Sequence, residues 1–300
     1  MKNKLLIVFV ALLIFVASCD YFQNSDTLDL SSVKVSLFGL PSIPDTMTYV
    51  GWFDSDQLSP EKVFVLDADQ SGNIVYESEK PLKSLHRAQE FVITVERKSN
   101  ANDSNLVLST RKILAGRFSN AASNLLIGEG ITNFSNVIAE FNLATPTNRP
   151  GADELSGIWF LDSINAPVAG LKLPVLYSGW IYEGWVEINS KLVSTGRFSD
   201  PKKADLFSAY GGDSTGYNFP GEDFIKNAPA GLTFPTNLSN AKVYISIEYK
   251  DSRTNGTSPS IIILETTIPA SAQSGVTYTL GPSSKALTSG NAIMTIDLVK

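Results

Sequence analysis

Hydrophobic and polar side chains alternate along short segments of the chain from residue 33 onward. Clear examples are VKVSLF from Val33, EFVITVE from Glu90, KVYISIEY from Lys242 and AIMTIDLV from Ala292. A period of two places alternate side chains on opposite faces of a β-strand. These runs are rich in β-branched and aromatic residues, and Gly, Pro, Asn, Asp and Ser separate them. The pattern therefore predicts an all-β protein, and the strand spacing favours sandwiches.

A strand pattern of the form Tyr-x-Gly-Trp occurs twice at the same distance from a Leu-Pro pair. YVGW begins at Tyr49 after Leu40-Pro41, and YEGW begins at Tyr182 after Leu173-Pro174, an offset of 133 residues. Further on, VITVE matches YISIE at an offset of 152, and each is followed by a polar turn and another apolar strand. Ordered landmarks of this kind indicate the duplication of a domain-sized unit.

The duplication predicts two tandem β-sandwich (immunoglobulin-like) domains. We expect copy 1 at 33–145, a linker at 146–157 in a segment with prolines, glycines and charges, and copy 2 at 158–300. Within each repeated strand, Tyr and Gly face one side and Trp faces the other. Trp52 and Trp185 are therefore expected to supply large core contacts rather than a ligand platform.

The N-terminal segment has the pattern of a bacterial lipoprotein signal. Lys2 and Lys4 precede an apolar run, and the sequence VASC ends at Cys19. This spacing resembles a lipobox, so we expect a signal peptide at 1–18, a diacylglycerol on the Cys19 thiol and a tether at 19–32. Acyl chains then hold the protein on a membrane. The alternative is a buried free cysteine near an uncleaved anchor helix.

Composition excludes several classes of function. The formal net charge is −6, and loss of the two signal lysines makes it two units more negative. An acidic chain with scattered lysines has no electrostatic footprint for nucleic acid. The sequence holds one histidine, His86, one cysteine and no G-x-S-x-G motif. We therefore predict no catalytic triad, no metal centre and no cofactor.

One segment partly matches a calcium-binding loop. DADQSGNI starts at Asp67 and places acidic or polar residues at the first three ligand positions, but Ser78 stands where a bidentate Glu is required. Strand-like runs flank it instead of helices. A β-hairpin turn explains the same residues, since Asp, Gly and Asn favour turns.

The second copy carries extra residues between its Trp and its YISIE strand. The change in offset amounts to 19 residues within 200–241, a loop-like stretch with interleaved aromatic residues. Long loops on a rigid β scaffold commonly carry function. The predicted ligand-binding residues are Tyr210, Tyr217, Phe219, Glu222, Asp223 and Phe224. There are two alternatives. The aromatic side chains pack on the surface of the domain, and the acidic pair caps a short helix or pairs with a lysine.

The repeated motifs resemble a known family. The Leu-Pro-x₇-Tyr-x-Gly-Trp strand, the sequence VSTGRF ending at Phe198 and the ISIE strand are similar to the extracytoplasmic C-terminal domain of anti-sigma-K-type factors. The second copy is the closer match, and the first lacks VSTGRF. The resemblance implies a β-sandwich outside the cytoplasmic membrane without catalytic residues. Because only residues 1–4 precede the apolar run, no cytoplasmic sigma-binding domain is expected.

Together these features predict a lipid-anchored protein of the bacterial cell envelope, periplasmic or surface-exposed. Its expected role is that of a non-catalytic binding or sensing module. The expected partners are the membrane, through lipidated Cys19, and an unidentified envelope protein or glycan. The alternatives are a structural spacer, or a carbohydrate-active hydrolase that uses Glu222 and Asp223.

Overall fold

The computed structural model describes residues 31–78, 87–134, 136–177, 179–205, 207–250, 258–284 and 288–296. The predicted signal peptide, Cys19 and His86 lie outside these residues. Within them, the prediction of an all-β protein is confirmed: helical structure is limited to single turns at Lys98–Ala101, Ile127–Gly130 and Glu154–Ser156. The strands form three sheets whose relation to each other is consistent with sandwich-like and barrel-like packing.

The first sheet has eight strands and curls toward closure. Its spatial order is β3-β2-β5-β6-β7-β18-β1-β4. The edge strands β3 and β4 approach each other through side chains, because the rings of Phe64 and Tyr76 lie 4.9 Å apart and the Tyr76 hydroxyl donates to the Val63 carbonyl at 3.2 Å. The strands are β1 (Ser31–Phe38), β2 (Met47–Ser55), β3 (Leu58–Leu66), β4 (Ile74–Glu77), β5 (Glu90–Arg97), β6 (Lys112–Arg117), β7 (Ala122–Leu126) and β18 (Ser289–Ile296).

Two five-stranded sheets pack against each other in the rest of the chain. The second sheet runs β10-β8-β9-β13, with β16 on the other edge of β8, and the third runs β12-β11-β14-β15-β17. The Phe160 ring, at the end of β9, lies over Gly184 of β11. The strands are β8 (Ile138–Leu143), β9 (Gly157–Trp159), β10 (Leu171–Lys172), β11 (Trp180–Ile188), β12 (Lys191–Phe198), β13 (Gly221–Asp223), β14 (Lys242–Tyr249), β15 (Ile261–Thr267), β16 (Thr277–Thr279) and β17 (Gly281–Pro282).

The repeated strands occupy the same place in the two copies. The order β3-β2-β5-β6 in the first sheet corresponds to β12-β11-β14-β15 in the third. Both Tyr-x-Gly-Trp strands have a register shift between the Gly and the Trp, at Gly51/Trp52 and Gly184/Trp185. In both, the Tyr hydroxyl donates to the carbonyl of the upstream proline: Tyr49 to Pro41 at 2.5 Å and Tyr182 to Pro174 at 2.7 Å. The Leu-Pro-x₇-Tyr spacing is thus a structural contact.

The repeated glycine is required by close packing. A Cβ at Gly51 would lie 2.4 Å from the Phe64 ring. A Cβ at Gly184 would lie 2.2 Å from the Thr195 hydroxyl and 2.8 Å from the Phe160 ring. Real Cβ atoms do not approach other heavy atoms this closely, so each strand keeps a glycine where another side chain crosses it.

Trp52 and Trp185 are buried, as expected, but they lie on the sheet face opposite the main core. Each joins a small separate cluster, with 0% and 1% of its surface exposed. The indole nitrogens donate to matching hydroxyls on the neighbouring strand, Trp52 to Thr94 and Trp185 to Ser246, both at 2.9 Å. The two tryptophans are therefore structural, which agrees with the predicted core role.

Strand pairing does not follow the predicted boundaries at 145 and 158. β8 lies within predicted copy 1, but it pairs with β9, β10 and β16. β18 lies within predicted copy 2, but it pairs with β1 and β7 of the first sheet. β8 is the final strand of copy 1 and β18 is the final strand of copy 2. The two strands lie about one repeat length apart in the sequence, so they are equivalent strands of the two copies. The copies have therefore exchanged their final strands, and a division into two independent domains stays a prediction.

Alternation alone was unable to predict this exchange. Ile138–Leu143 and Ser289–Ile296 are both alternating strands, so each presents an apolar face that either sheet can accept. The predicted linker at 146–157 is also part of the fold, since it contains the turn at Glu154–Ser156 and the first residue of β9. Which sheet takes which strand depends on long-range pairing.

The Asp67 segment forms a turn, but the predicted hairpin is wrong. Asp69 Oδ1 accepts from the amides of Ser71 and Asn73 at 2.8 Å each, while Asp67 pairs with Lys98 Nζ at 2.6 Å. The flanking strands β3 and β4 belong to opposite edges of the first sheet and do not pair with each other. The carboxylates of this segment thus serve turn and ion-pair contacts.

Deletion of residues 289–300 tests the strand exchange. We expect the amides of β1 to lose most of their protection from hydrogen exchange, because β1 loses β18 as its neighbour. The amides of β11 and β14 are expected to keep theirs, and the full-length chain is the control. Loss of protection in β11 and β14 with β1 unaffected would contradict the exchange.

Candidate functional site

The segment that holds the extra residues of the second copy is mostly turns and irregular chain, as predicted, but three of its residues join the second sheet. β13 pairs antiparallel with β9, with Gly221 opposite Trp159, Glu222 opposite Ile158 and Asp223 opposite Gly157. The acidic pair predicted to lie on a loop therefore lies on a buried edge strand. Neighbouring residues on a strand face opposite ways, so the two carboxyl groups have different surroundings.

Asp223 holds three segments of the chain together. Its Oδ1 accepts from the Trp159 indole at 2.7 Å, and its Oδ2 accepts from the Thr147 amide at 2.8 Å and from the Thr147 hydroxyl. The residue is fully buried, and burial raises the pKa of its carboxyl. Because both oxygens are occupied by neutral donors, Asp223 is a structural residue. Neither helix capping nor lysine pairing, the alternatives suggested by the sequence, describes these contacts.

A cavity of about 380 Å³ lies beside this anchor. Its wall is built from aromatic side chains, from small residues and from two carboxyl groups. None of the described residues that line it is Lys, Arg or His. The aromatic residues are Trp159, Phe207, Tyr217 and Phe219, the glycines are Gly211, Gly212, Gly216 and Gly221, and the acidic residues are Asp205 and Glu222.

Glu222 is buried with one oxygen unpaired. Only 2% of its surface is exposed. Its Oε1 accepts from the Asp223 amide at 3.1 Å, whereas Oε2 has no hydrogen-bond partner among the described residues. Burial raises the pKa of the Glu222 carboxyl to about 8, and the negative charges of Asp205 and Asp223 act in the same direction. A buried acceptor without a donor costs about 1–3 kcal/mol, so such a group calls for an explanation.

Asp205 is the second carboxyl group of the cavity. It accepts from the Phe207 amide at 2.8 Å and from the Gly221 amide at 3.2 Å. Burial raises its pKa to about 7, although these two amides oppose the rise. A Cβ at Gly196, where φ is +122°, would lie 2.3 Å from Asp205 Oδ2. The glycine of the VSTGRF sequence therefore makes room for this carboxyl.

The tyrosine and phenylalanine residues predicted as ligand contacts divide into two groups. Tyr217 and Phe219 line the cavity, and the Tyr217 ring meets the Trp159 ring edge-on at 5.4 Å. Phe224 is fully buried in the core, and the Tyr210 ring lies 5.9 Å from it. The packing alternative thus describes Phe224 and Tyr210, while Tyr217, Phe219 and Glu222 line the cavity.

Sequence reasoning missed several residues of the cavity. Thr147 lies in the predicted linker, and Trp159 follows it on a strand of only three residues. Asp205 and Phe207 lie before Tyr210, the first of the predicted ligand-binding residues. The sequence did contain one signal for this site. Trp159 follows shortly after the predicted boundary between the copies and is not one of the two repeated Trp residues, Trp52 and Trp185.

The described residues contain neither a metal-binding cluster nor a membrane-spanning helix. No group of three or more His, Cys, Asp or Glu side chains in them is arranged to hold a metal ion. No helix in the described part of the chain has the length and apolarity needed to cross a membrane.

Comparisons of the chain with protein-family models, with curated proteins and with solved structures find no match. The resemblance to anti-sigma-K-type domains therefore stays a prediction.

Replacement of Glu222 by Gln should change how stability depends on pH. The carboxyl keeps its proton up to about pH 8 in the folded chain, against 4.5 ordinarily. Its contribution to stability is therefore complete below 4.5 and is lost as pH rises to 8, by at most about 1.4 kcal/mol per pH unit. We expect Glu222→Gln to gain stability relative to wild type between pH 5 and 8.

Thermal unfolding of both proteins at several pH values measures this difference. Glu77→Gln is the control, because it removes an exposed carboxylate of the first sheet, far along the chain from the cavity. A constant difference between Glu222→Gln and wild type across this range would contradict the raised pKa.

Proposed function

We propose that the protein is a lipid-anchored envelope protein that binds, without chemical conversion, a small molecule or a projecting group of an envelope polymer or protein. The observation that carries the proposal is the cavity beside β13. Aromatic side chains line it together with Glu222, one of whose buried carboxyl oxygens has no donor among the described residues. Concave sites with apolar walls and a few placed polar groups are typical of ligand binding.

The asymmetry of the two copies supports binding over a spacer role. The framework contacts of Tyr, Gly and Trp recur in both copies, so they serve folding. The 19 extra residues of the second copy fall within 200–241, and this segment supplies most of the residues that line the cavity. A spacer gains nothing from a buried, unpaired carboxyl group, which costs stability.

The hydrolase alternative has one observation in its favour. Asp205 and Glu222 face the same cavity with a raised pKa, about 7 and about 8 respectively, and a protonated carboxyl is the general acid of glycoside hydrolysis. The reaction also needs an ionised partner. Asp223, the partner expected from the sequence, has both oxygens occupied by Trp159 and Thr147. Binding without conversion therefore fits the contacts better.

The envelope location rests on the sequence. The VASC pattern ending at Cys19 supports a lipid anchor, and the resemblance to extracytoplasmic domains agrees with it. A membrane-held receptor meets envelope proteins and glycans, which are the partner classes we propose.

Ligand binding is tested by thermal shift with soluble envelope fragments: cell-wall glycopeptides, oligosaccharides and short peptides. The comparison is between wild type and Gly211→Ala, whose added methyl lies 3.3 Å from Glu222 Oε1 inside the cavity. We expect at least one fragment class to raise the melting temperature of wild type. The same fragments should raise the melting temperature of Gly211→Ala by less than half of that increase. The same fragments should be recovered unchanged.

Gly281→Ala is the matched control, because its added methyl meets nothing within 4 Å. Equal shifts in all three proteins would place binding elsewhere. Release of cleaved fragments would favour the hydrolase.

Lipidation is tested separately by metabolic labelling with an alkynyl fatty acid. We expect label on wild type and none on Cys19→Ser, because the acyl groups require the thiol. Equal labelling of the two proteins would end the lipoprotein proposal.

A further inference from the structure

We propose that the cavity beside β13 binds a protonated primary amine on an aliphatic stem, with the ammonium group against Glu222 and the stem along the aromatic wall. The inference rests on the proposed function, because it names the chemical class that the same cavity takes. The acidic lining groups, the unpaired oxygen and the half-buried aromatic rings each point to this class.

The ionisable side chains that line the cavity are unequal in sign, since only acidic groups that can become negative are present among the described residues. Asp205 and Glu222 face it, and no described lining residue carries a positive charge. The nearby Lys226 does not line the cavity, and its Nζ is paired at the rim: it donates to Asp213 Oδ1 at 3.0 Å and to the carbonyl of the lining residue Gly212 at 3.3 Å. When they are ionised, the buried Glu222 and the half-buried Asp205 have no positive residue among the described lining residues, so a bound cation is favoured and an anion is not.

The unpaired oxygen selects among cations. Glu222 Oε2 is a single acceptor, since Oε1 already receives the Asp223 amide. A primary ammonium is a compact charge with three N–H donors and satisfies one acceptor directly. A quaternary ammonium has no N–H to donate. A guanidinium group binds best when both carboxylate oxygens are open, which they are not here.

The aromatic wall suits the rest of such a ligand. Phe207, Tyr217 and Phe219 are half-buried side chains that line the cavity. Ring faces attract a cation within about 6 Å of the ring centre, and their apolar surface covers a methylene stem. The glycines at 211, 212 and 216 leave the cavity open, and a Cβ at Gly216 would lie 2.3 Å from the Trp159 ring.

Binding of an ammonium group requires Glu222 to release its proton. The groups that face Glu222 and set its titration are Asp205 and Asp223, together with Tyr210, whose amide donates to it. Because the carboxyl holds its proton up to about pH 8 when the cavity is empty, binding should release up to one proton. Affinity should therefore rise by up to about tenfold per pH unit below 8 and level off above it.

The test is titration calorimetry of the full mature chain with n-pentylamine hydrochloride. Three probes of the same cavity accompany it: 1-pentanol, which is neutral, tetramethylammonium chloride, which lacks N–H donors, and calcium chloride. We expect pentylamine to bind at least ten times more tightly than each of the three, with proton release seen as a dependence of the heat on the buffer.

Glu222→Gln should weaken pentylamine at least tenfold and abolish the proton release. Glu183→Gln is the matched control, because Glu183 is equally buried but bonds Ser194 and Arg197 on the third sheet. Gly211→Ala gives a second variant that keeps both carboxyl groups and narrows the cavity, and it should also weaken pentylamine. Circular dichroism verifies that each variant is folded.

The outcomes separate this inference from the proposed function. Equal binding of tetramethylammonium or 1-pentanol, tighter binding of calcium, or unchanged affinity in folded Glu222→Gln would each overturn the amine. A second outcome is that envelope fragments bind wild type more strongly than Gly211→Ala, whereas pentylamine does not bind. This result would contradict the amine as ligand but would still support the cavity as a binding site. Failure of both sets of probes would remove the cavity as a binding site.

Discussion

The placement of β8 and β18 is the constraint on which the other features depend. Backbone N–H and C=O groups of a buried strand need partners, and each copy obtains them from the final strand of the other. β18 sits between β1 and β7, and without it the eight-stranded sheet is cut in two. The halves of the chain therefore depend on each other for complete sheets, although their repeated frameworks are alike.

The same exchange positions the cavity. Because β8 belongs to the second sheet, the chain that leaves it passes beside β13 rather than away to a separate domain. Thr147 thereby reaches Asp223, and a Cβ at Gly157 would lie 2.1 Å from the Ala144 carbonyl, so this connection is closely packed. The Asp223 anchor then joins the connection, β9 and the extra segment into one wall.

Buried carboxyl groups in this protein are treated in three different ways. Glu96 and Glu183 each face an arginine, Arg111 and Arg197, with N···O distances of 2.6 and 2.7 Å. Asp223 is satisfied by neutral donors. Glu222 alone among these has an oxygen without a partner in the described residues. A buried acceptor without a donor is uncommon, and this oxygen is the observation on which the proposed ligand depends.

The amino-acid sequence by itself determined the local structure. Alternation predicts the strands, and the two Tyr-x-Gly-Trp patterns predict equivalent strands with buried tryptophans, because a period of two assigns each side chain to a face without regard to distant partners. The extra length of the second copy also drew Tyr217, Phe219 and Glu222 into the predicted site; they line the cavity, and their role as ligand contacts stays a prediction.

Only the tertiary structure decided which strands pair and which side chains meet. β8 and β18 have apolar faces that fit either sheet, so pairing depends on contacts between residues far apart in the chain. Thr147 and Asp205 belong to the site for the same reason. Each is a polar residue in a connecting segment, and each acquires its role only through a contact with β13: Thr147 with Asp223, and Asp205 with the Gly221 amide. Phe224, expected at a ligand, is buried in the core and the half-buried Tyr210 packs against it, because rings gain free energy when their apolar surface leaves water.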